Sequence, residues 1–391
     1  MRHEVDVLVI GAGPGGSMAA RAAAESGAEA LMVEKRQEVG SPVRCGEGIA
    51  EDWLKEIGLS PDRRWIAHRV DGARLISPGG HVLTMDAARA GNETGFVIER
   101  DAFDRSLAAA AVRAGSDLWM RAMAMDARME GNRITGVKVV RLGEEITIVP
   151  KVVIAADGFE SRVAEWVGLS SRLAPKEIDS CLQYRLVGVS TDEQYNDFYV
   201  GSMAPGGYVW VFHKGEGVAN VGIGVQVSRL RDRAGVKAHL DRFIAGHEGL
   251  RDARPVDIVA GAVSTSLPMD RTVKGNLLLV GDAARMVDPL TGGGVVYACR
   301  SGMMAGRIAG EFVRDGEPLD RYERMWRREF ENALVRNFVA KEKAVELSDK
   351  TFDRVIAALS ELEITRITTS EIISAVGRVA PELLEEIDGL L

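Results

Sequence analysis

A glycine-rich turn and a carboxylate beyond it are the first residues in this chain whose types and spacing imply chemistry. Gly11-Ala12-Gly13-Pro14-Gly15-Gly16 follows the apolar run Val5-Asp6-Val7-Leu8-Val9-Ile10 and opens an alanine-rich helix predicted over Ser17 to Ser26. A strand that turns sharply into a helix through Gly11, Gly13, Gly15 and Gly16 brings backbone N–H groups against a pyrophosphate. The positive end of the helix faces the same anion. A second apolar run, Ala30-Leu31-Met32-Val33, ends in Glu34. That acid lies about 20 residues past the turn, where a carboxylate accepts both hydroxyls of an adenosine ribose. Strand, turn, helix, second strand and acid together predict a βαβ unit that binds a dinucleotide.

A thiol comes next. Gly40-Ser41-Pro42-Val43-Arg44-Cys45-Gly46-Glu47-Gly48 follows the nucleotide unit at once, and its Gly and Pro content predicts a loop lying along a bound cofactor. Cys45 has two readings there: a side chain that takes part in the chemistry, or a backbone contact to the cofactor. Further on, Asp101 is expected to cap a helix over Ala102 to Ala114 and so to place Arg100 at its mouth. A guanidinium there can hold a phosphate or a ring edge by paired hydrogen bonds, or else pair with Asp104. Asn276 to Ala284 reads as a buried strand ending in Gly281-Asp282, and Pro289-Leu290-Thr291-Gly292-Gly293-Gly294 starts a helix at Val295. Asp282 can reach a cofactor hydroxyl, while the glycines offer N–H groups at a helix start.

The elements that must position these groups change character along the chain. Buried strands and helices alternate up to Asp157-Gly158, the pattern of a parallel sheet. From about Asp179, short strands follow one another at Ser180 to Val189, Asp197 to Gly201, Gly207 to Phe212 and Val218 to Val225, the pattern of an antiparallel sheet. Alternation places Tyr208, Trp210 and Phe212 on one face, as core or as the wall of a ligand site. From Pro318 onward the chain reads as helical, with apolar faces such as Phe352, Val355, Ile356 and Leu359 that suit packing. The expected division is a discontinuous nucleotide-binding domain over 1–178 and 262–315, an antiparallel-sheet domain over 179–261, and a helical region over 316–391.

Composition narrows the function classes. With 49 Lys and Arg against 57 Asp and Glu, the net charge of -8 argues against general nucleic-acid binding. Uncharged runs such as Phe198 to Phe212 are broken by Gly and Pro and are shorter than a spanning helix requires. The N-terminus, with acids at Glu4 and Asp6, does not resemble a signal peptide. Cys45, Cys181 and Cys299 have neither metal-ligand spacing nor the makings of a disulfide framework, so no metal is expected and a reducing cytoplasm is the default.

The set Gly11-x-Gly13-x-x-Gly16 with Glu34, Asp157-Gly158, Gly281-Asp282 and Pro289-x-x-Gly292-Gly293-Gly294 resembles the FAD-dependent oxidoreductases of the para-hydroxybenzoate hydroxylase type. Within them, Ser41-Pro42-Val43-Arg44-Cys45-Gly46-Glu47-Gly48 and Tyr208-x-Trp210-x-Phe212-x-Lys214-Gly215 resemble the geranylgeranyl reductase family, most of all its archaeal lipid branch. The resemblance spans essentially the whole chain and implies an α/β fold: a Rossmann-type FAD-binding domain, an inserted antiparallel-sheet substrate domain and a C-terminal helical region. It also implies FAD contacts at Gly11, Gly13, Gly15, Gly16, Glu34, Cys45, Gly46, Gly48, Arg100, Ala124, Asp282, Gly293, Gly294 and Val295. Tyr208 and Trp210 would line an apolar tunnel for an isoprenoid chain. His213 departs from the family pattern, which has proline there, and is expected to alter the cavity lining.

The implied reaction is saturation of geranylgeranyl double bonds in archaeal membrane lipid precursors by hydride from reduced flavin plus a proton. Cys45 is the candidate proton donor or positioning group, because it is the titratable thiol of the loop expected beside the flavin. The implied partners are an isoprenoid lipid, an electron donor (ferredoxin, a reduced deazaflavin or NADPH) and the inner face of the cell membrane, touched peripherally. Two other readings share the nucleotide motifs: an FAD-dependent aromatic hydroxylase of the same fold, and a non-catalytic flavoprotein that carries isoprenoid lipid or passes electrons.

Overall fold

A computed structural model describes residues 2–86, 95–169, 172–230 and 235–361, together with 377 and 381. The remainder of the expected C-terminal helical region lies outside the described residues. The chain forms two compact units, one of residues 1–42, 101–172 and 266–335, the other of 43–100, 173–265 and 336–391.

The first unit has the expected Rossmann-type arrangement. Arg2–Ile10 runs parallel to Glu144–Ala155 on one side and Ala30–Val33 on the other, with Asp117–Trp119 and Leu277–Leu279 continuing the parallel sheet outward. Val7, Leu8 and Val9 are all fully buried, as an uninterrupted apolar run requires when both sheet faces are covered. The hairpin of Ala122–Glu130 and Arg133–Arg141 adds antiparallel strands to Glu144–Ala155.

The nucleotide helix begins at Pro14, earlier than the apolar pattern predicts, because proline suits a first helical turn. It packs against the long helix Val295–Asp315. A Cβ on Gly302 or Gly306 would collide with the backbone oxygens of Gly15 or Ala19, so these glycines let the two helix backbones touch.

In the second unit a seven-stranded sheet runs in the order Arg254–Ser264, Ile178–Val187, Val218–Gln226, Tyr208–Gly215, Tyr195–Val200, Gly72–Ile76, Val82–Asp86. The four strands read from the sequence are antiparallel neighbours as expected. The sheet extends past the expected 179–261 insertion, however. Gly72–Ile76 joins Tyr195–Val200 in parallel and carries Val82–Asp86 with it, which brings residues 43–100 into this unit. Such a pairing joins strands more than a hundred residues apart, and no local pattern announces it.

Ile66–Val70 and Gly72–Ile76, one residue apart, lie in different sheets. The strand Arg254–Ser264 and the helix Gly235–Gly246 are further elements the sequence pattern did not reveal. Buried Tyr184, Leu186, Val209, Val211, Ile223, Val225 and Leu240 form the core on one side of the sheet. The helix Asp349–Ser360, capped by Ser348 Oγ accepting from Thr351 N–H, buries Ile356 and Leu359, the packing role expected of its apolar face.

Candidate active site

In the first unit the glycine turn is held by backbone geometry and by Glu34. Gly11 has φ +101°, a left-handed conformation that favours glycine, and a Cβ on Gly16 would strike the Gly11 carbonyl. A Cβ on Gly13 would meet nothing within 4 Å, so open space lies over the turn where a phosphate must approach. Glu34 Oε2 accepts from Ala12 N–H (3.0 Å) and Oε1 from Arg36 N–H (3.0 Å), which places the carboxylate beside the turn. Gly294 caps the helix that starts at Val295, and a Cβ on it would stand 3.2 Å from Asp282 Oδ1. Ala124 sits in Ala122–Glu130 opposite Val139, packed on the core of the unit.

Asp157 presents an acceptor suited to a polar ligand. Its Oδ2 accepts from Val163 N–H (3.0 Å), while its buried Oδ1 has no hydrogen-bond partner. Burial lifts its carboxyl above the ordinary aspartate range, against the pull of backbone N–H groups at Val163, Asp157 itself and Arg162. An orphaned oxygen, a bare glycine turn and a placed ribose acid suit the nucleotide half of FAD.

The Cys45 loop is built in the second unit. Cys45 is half-buried and its Sγ accepts from Glu47 N–H (3.2 Å). Its carbonyl accepts from Gln183 Nε2 (3.2 Å), and Gln183 Oε1 accepts from Trp210 Nε1 (2.8 Å). Trp210 and Phe212 are each 8% exposed, and Phe198 and Tyr208 pack against them edge-on. Cβ atoms on Gly46 and Gly48 would lie 3.0 Å and 3.1 Å from the Phe212 ring, and one on Gly222 would enter the Trp210 indole. The aromatic row therefore seats the loop, and glycine is needed at 46 and 48 because the Phe212 ring occupies the space of a side chain.

Glu47 is the centre of this arrangement. It is a non-glycine residue at φ +76° with its side chain fully buried. Lys214 Nζ lies 2.6 Å from Glu47 Oε2 and 3.0 Å from Glu99 Oε2, and donates to the Ile98 carbonyl. Arg185 reaches the same two carboxylates at 3.0 Å and 3.1 Å. Burial works to lower the Arg185 guanidinium, but Glu99 and Glu47 outweigh it and hold it above its ordinary value. Asn220 Nδ2 donates to Glu47 Oε2 (2.7 Å) and to the Gly46 carbonyl.

Glu47 also corrects the expectation for Asp101. The helix starts at Arg100, whose N–H donates to Glu47 Oε1 (2.8 Å), while Asp101 lies in the first turn and bonds Arg105. A carboxylate from a distant loop thus fills the role expected of a neighbour. Sequence reading singled out the Cys45 loop and the aromatic strand but missed this pairing. Arg185 and Asn220 were missed altogether, although alternation from Gln183 and the register of Arg185 opposite Asn220 place them on the same face.

His213 falls on the other side of its strand from Trp210 and Phe212. It is buried, its Nε2 lies 3.0 Å from Thr191 Oγ1, and burial lowers its pKa. The expectation that it alters the lining beside Tyr208 and Trp210 is therefore corrected, since strand alternation turns it away from them.

The expected cofactor residues divide between the units: Gly11, Gly13, Gly15, Gly16, Glu34, Ala124, Asp282, Gly293, Gly294 and Val295 in the first, Cys45, Gly46, Gly48 and Arg100 in the second. Cys181 lies on the strand Ile178–Val187. Burial, with Asp179 second, pushes its thiol up to about 12, which leaves it inert.

Asp179 itself is buried beside Thr265 Oγ1 (3.5 Å), and burial raises it to about 7 against the attraction of Lys341. The folded chain thus keeps a proton that the unfolded chain releases near 3.8, so stability falls as pH rises from there to about 7. Asp179→Asn should abolish that fall and, above pH ~7, exceed the parent by no more than about 4 kcal/mol. Chemical denaturation across that pH range reads the effect; parallel curves for parent and variant would refute it.

A parallel-sheet unit with a glycine turn, a ribose acid and a second sheet carrying an aromatic row is the plan of an FAD-dependent oxidoreductase, and the family model of that description matches residues 6–205. The chain belongs to the digeranylgeranylglycerophospholipid reductase family. It is 45% identical to the Thermoplasma volcanium digeranylgeranylglycerophospholipid reductase, with 99% of each chain covered, and 45% identical to that of Picrophilus torridus, with 100% covered. The geranylgeranyl reductase catalytic domain model matches residues 177–263. Among solved structures, a geranylgeranyl bacteriochlorophyll reductase-like protein of Thermoplasma acidophilum is 44% identical at TM-score 0.95, covering 100% of both chains. A Pseudomonas putida p-nitrophenol 4-monooxygenase, 15% identical at TM-score 0.73 with 99% of both chains covered, shares the fold alone.

Proposed function

We propose that this FAD-dependent reductase saturates the double bonds of the geranylgeranyl chains of digeranylgeranylglycerophospholipids. The supporting observation is the link from Trp210 through Gln183 to Cys45, which ties the aromatic strand of the catalytic-domain match to the thiol loop. The nucleotide turn, Glu34, Ala124, Asp282, Gly293, Gly294, Val295, Cys45, Gly46, Gly48 and Arg100 would hold FAD, which in its reduced form would supply the hydride for an alkene carbon. The second alkene carbon takes a proton. An isolated alkene has no carbonyl to spread charge, so the proton must come from a placed group in a dry site, and Cys45 is that group. Tyr208 and Trp210 flank the isoprenoid chain. The enzyme works at a membrane surface without crossing it; among the described residues no helix is long and apolar enough to span one.

The direct test loads the protein with FAD, reduces it anaerobically with dithionite and mixes it with digeranylgeranylglycerophospholipid. Flavin reoxidation matched by a gain of two hydrogens per saturated bond is expected. Unchanged lipid over reduced flavin would refute the reading. Ferredoxin, reduced deazaflavin and NADPH, each tried anaerobically in place of dithionite, identify the donor.

A further inference from the structure

The thiol loop has little hold on itself. Among the described residues no backbone–backbone hydrogen bond reaches residues 43–46, and the first one after them is the Glu47 carbonyl accepting from Ile98 N–H (2.9 Å). A proton donor must stand within hydrogen-bond reach of the atom it serves, and a glycine-rich loop does not fix a side chain that closely on its own. The hold comes from two buried amides of the seven-stranded sheet. Gln183, 3% exposed, donates through Nε2 to the Cys45 carbonyl (3.2 Å). Asn220, fully buried, donates through Nδ2 to the Gly46 carbonyl (3.2 Å) and to Glu47 Oε2 (2.7 Å). Glu47 N–H in turn reaches Cys45 Sγ (3.2 Å).

Each amide has one orientation open to it. Trp210 Nε1–H only donates, so Gln183 Oε1 faces it (2.8 Å), and Nε2 is left for the Cys45 carbonyl, which only accepts. Arg185 Nε likewise donates to Asn220 Oδ1 (3.4 Å), which turns Nδ2 toward the loop. Both positions need a donor and an acceptor without a charge, and an amide supplies them. Sheet register puts the two on the face of the aromatic row: Gly222 lies between Gln183 and Trp210, and Asn220 between Arg185 and Phe212. Because Gly222 has no side chain, the Trp210 indole crosses its place to reach Gln183.

We propose that Gln183 and Asn220 are positioning residues for the proton step, which act by fixing the Cys45 backbone and with it the place of the thiol. The proposal rests on the reading of Cys45 as proton donor. The test uses FAD-loaded enzyme, reduced anaerobically and mixed with digeranylgeranylglycerophospholipid. Gln183→Met and Asn220→Leu keep the side-chain bulk and remove the donor. Each should slow flavin reoxidation at saturating lipid by about 10- to 100-fold, the scale of a misplaced reacting group, and leave the lipid concentration at half-maximal rate within about twofold of the parent. In a Cys45→Ala background neither should slow the reaction further, since a positioning residue then has nothing left to place. Should Asn220→Leu fail to fold, Gln183→Met carries the test alone.

Alkylation separates this proposal from the functional reading. Iodoacetamide should modify Cys45 of the FAD-loaded enzyme about fivefold faster in either variant than in the parent, the scale of one lost hydrogen bond. Cys181, on the same strand as Gln183 and with its thiol pushed up by burial, should stay unmodified; peptide mass spectrometry reads both. Parent-like reoxidation in both variants, equal slowing in the parent and Cys45→Ala backgrounds, or modification of Cys181 along with Cys45, which marks general loosening, overturns the proposal. A parent that reduces no lipid, or a Cys45→Ala enzyme as fast as the parent, refutes the reading on which the proposal rests. The alkylation rates then judge by themselves, and an unchanged Cys45 rate overturns the hold of the two amides on the thiol.

Discussion

Glu47→Ala should destabilise the second unit by about 3–5 kcal/mol, the usual result of leaving a buried charge cluster without one partner. Removing this carboxylate leaves Lys214, 4% exposed, and Arg185 sharing Glu99, itself 35% exposed. It also strips Asn220 and the Arg100 N–H of an acceptor. Glu47→Gly removes the same groups but relieves the left-handed backbone at φ +76°, so it should lose about 1–2 kcal/mol less than Ala. The double variant Glu47→Met/Lys214→Met should lose less than the sum of its single variants, since it removes the charge together with its counter-charge. Denaturant melts of the parent, the Ala and Gly variants, the double Met variant and its two single variants decide this; an Ala variant that melts with the parent would show that the cluster contributes nothing.

The second large effect concerns Cys45. Cys45→Ser and Cys45→Ala should bind FAD nearly as the parent does, because the backbone contacts to Gln183 and the loop glycines remain. Both should slow alkene saturation by roughly 10² to 10⁴, the usual loss when general acid help is removed. Enzyme reduced beforehand and mixed with lipid isolates that step from the electron donor. Equal flavin reoxidation in parent, Ser and Ala proteins would leave Cys45 as a cofactor contact only. Glu47 bears on the same step, since its N–H is the hydrogen bond that Cys45 Sγ accepts.

What the sequence by itself determined here is what depends on near neighbours. A strand, a glycine turn and a helix in succession define the nucleotide site, because Gly11, Gly16 and Glu34 act within some two dozen residues of one another and each has a local steric or hydrogen-bonding reason. Strand alternation likewise placed Tyr208, Trp210 and Phe212 on one face. Only the tertiary structure decided what lies against that face. Phe212 filling the space above Gly46 and Gly48, Glu47 taking the Arg100 N–H in place of Asp101, and the joining of residues 43–100 to the second sheet all bring together groups far apart in sequence. A period of two or of 3.6 residues says which way a side chain points, but not which distant strand or charge it will meet. That choice is settled by burial of the whole sheet and by the pairing of buried charges, to which every contributing segment adds at once.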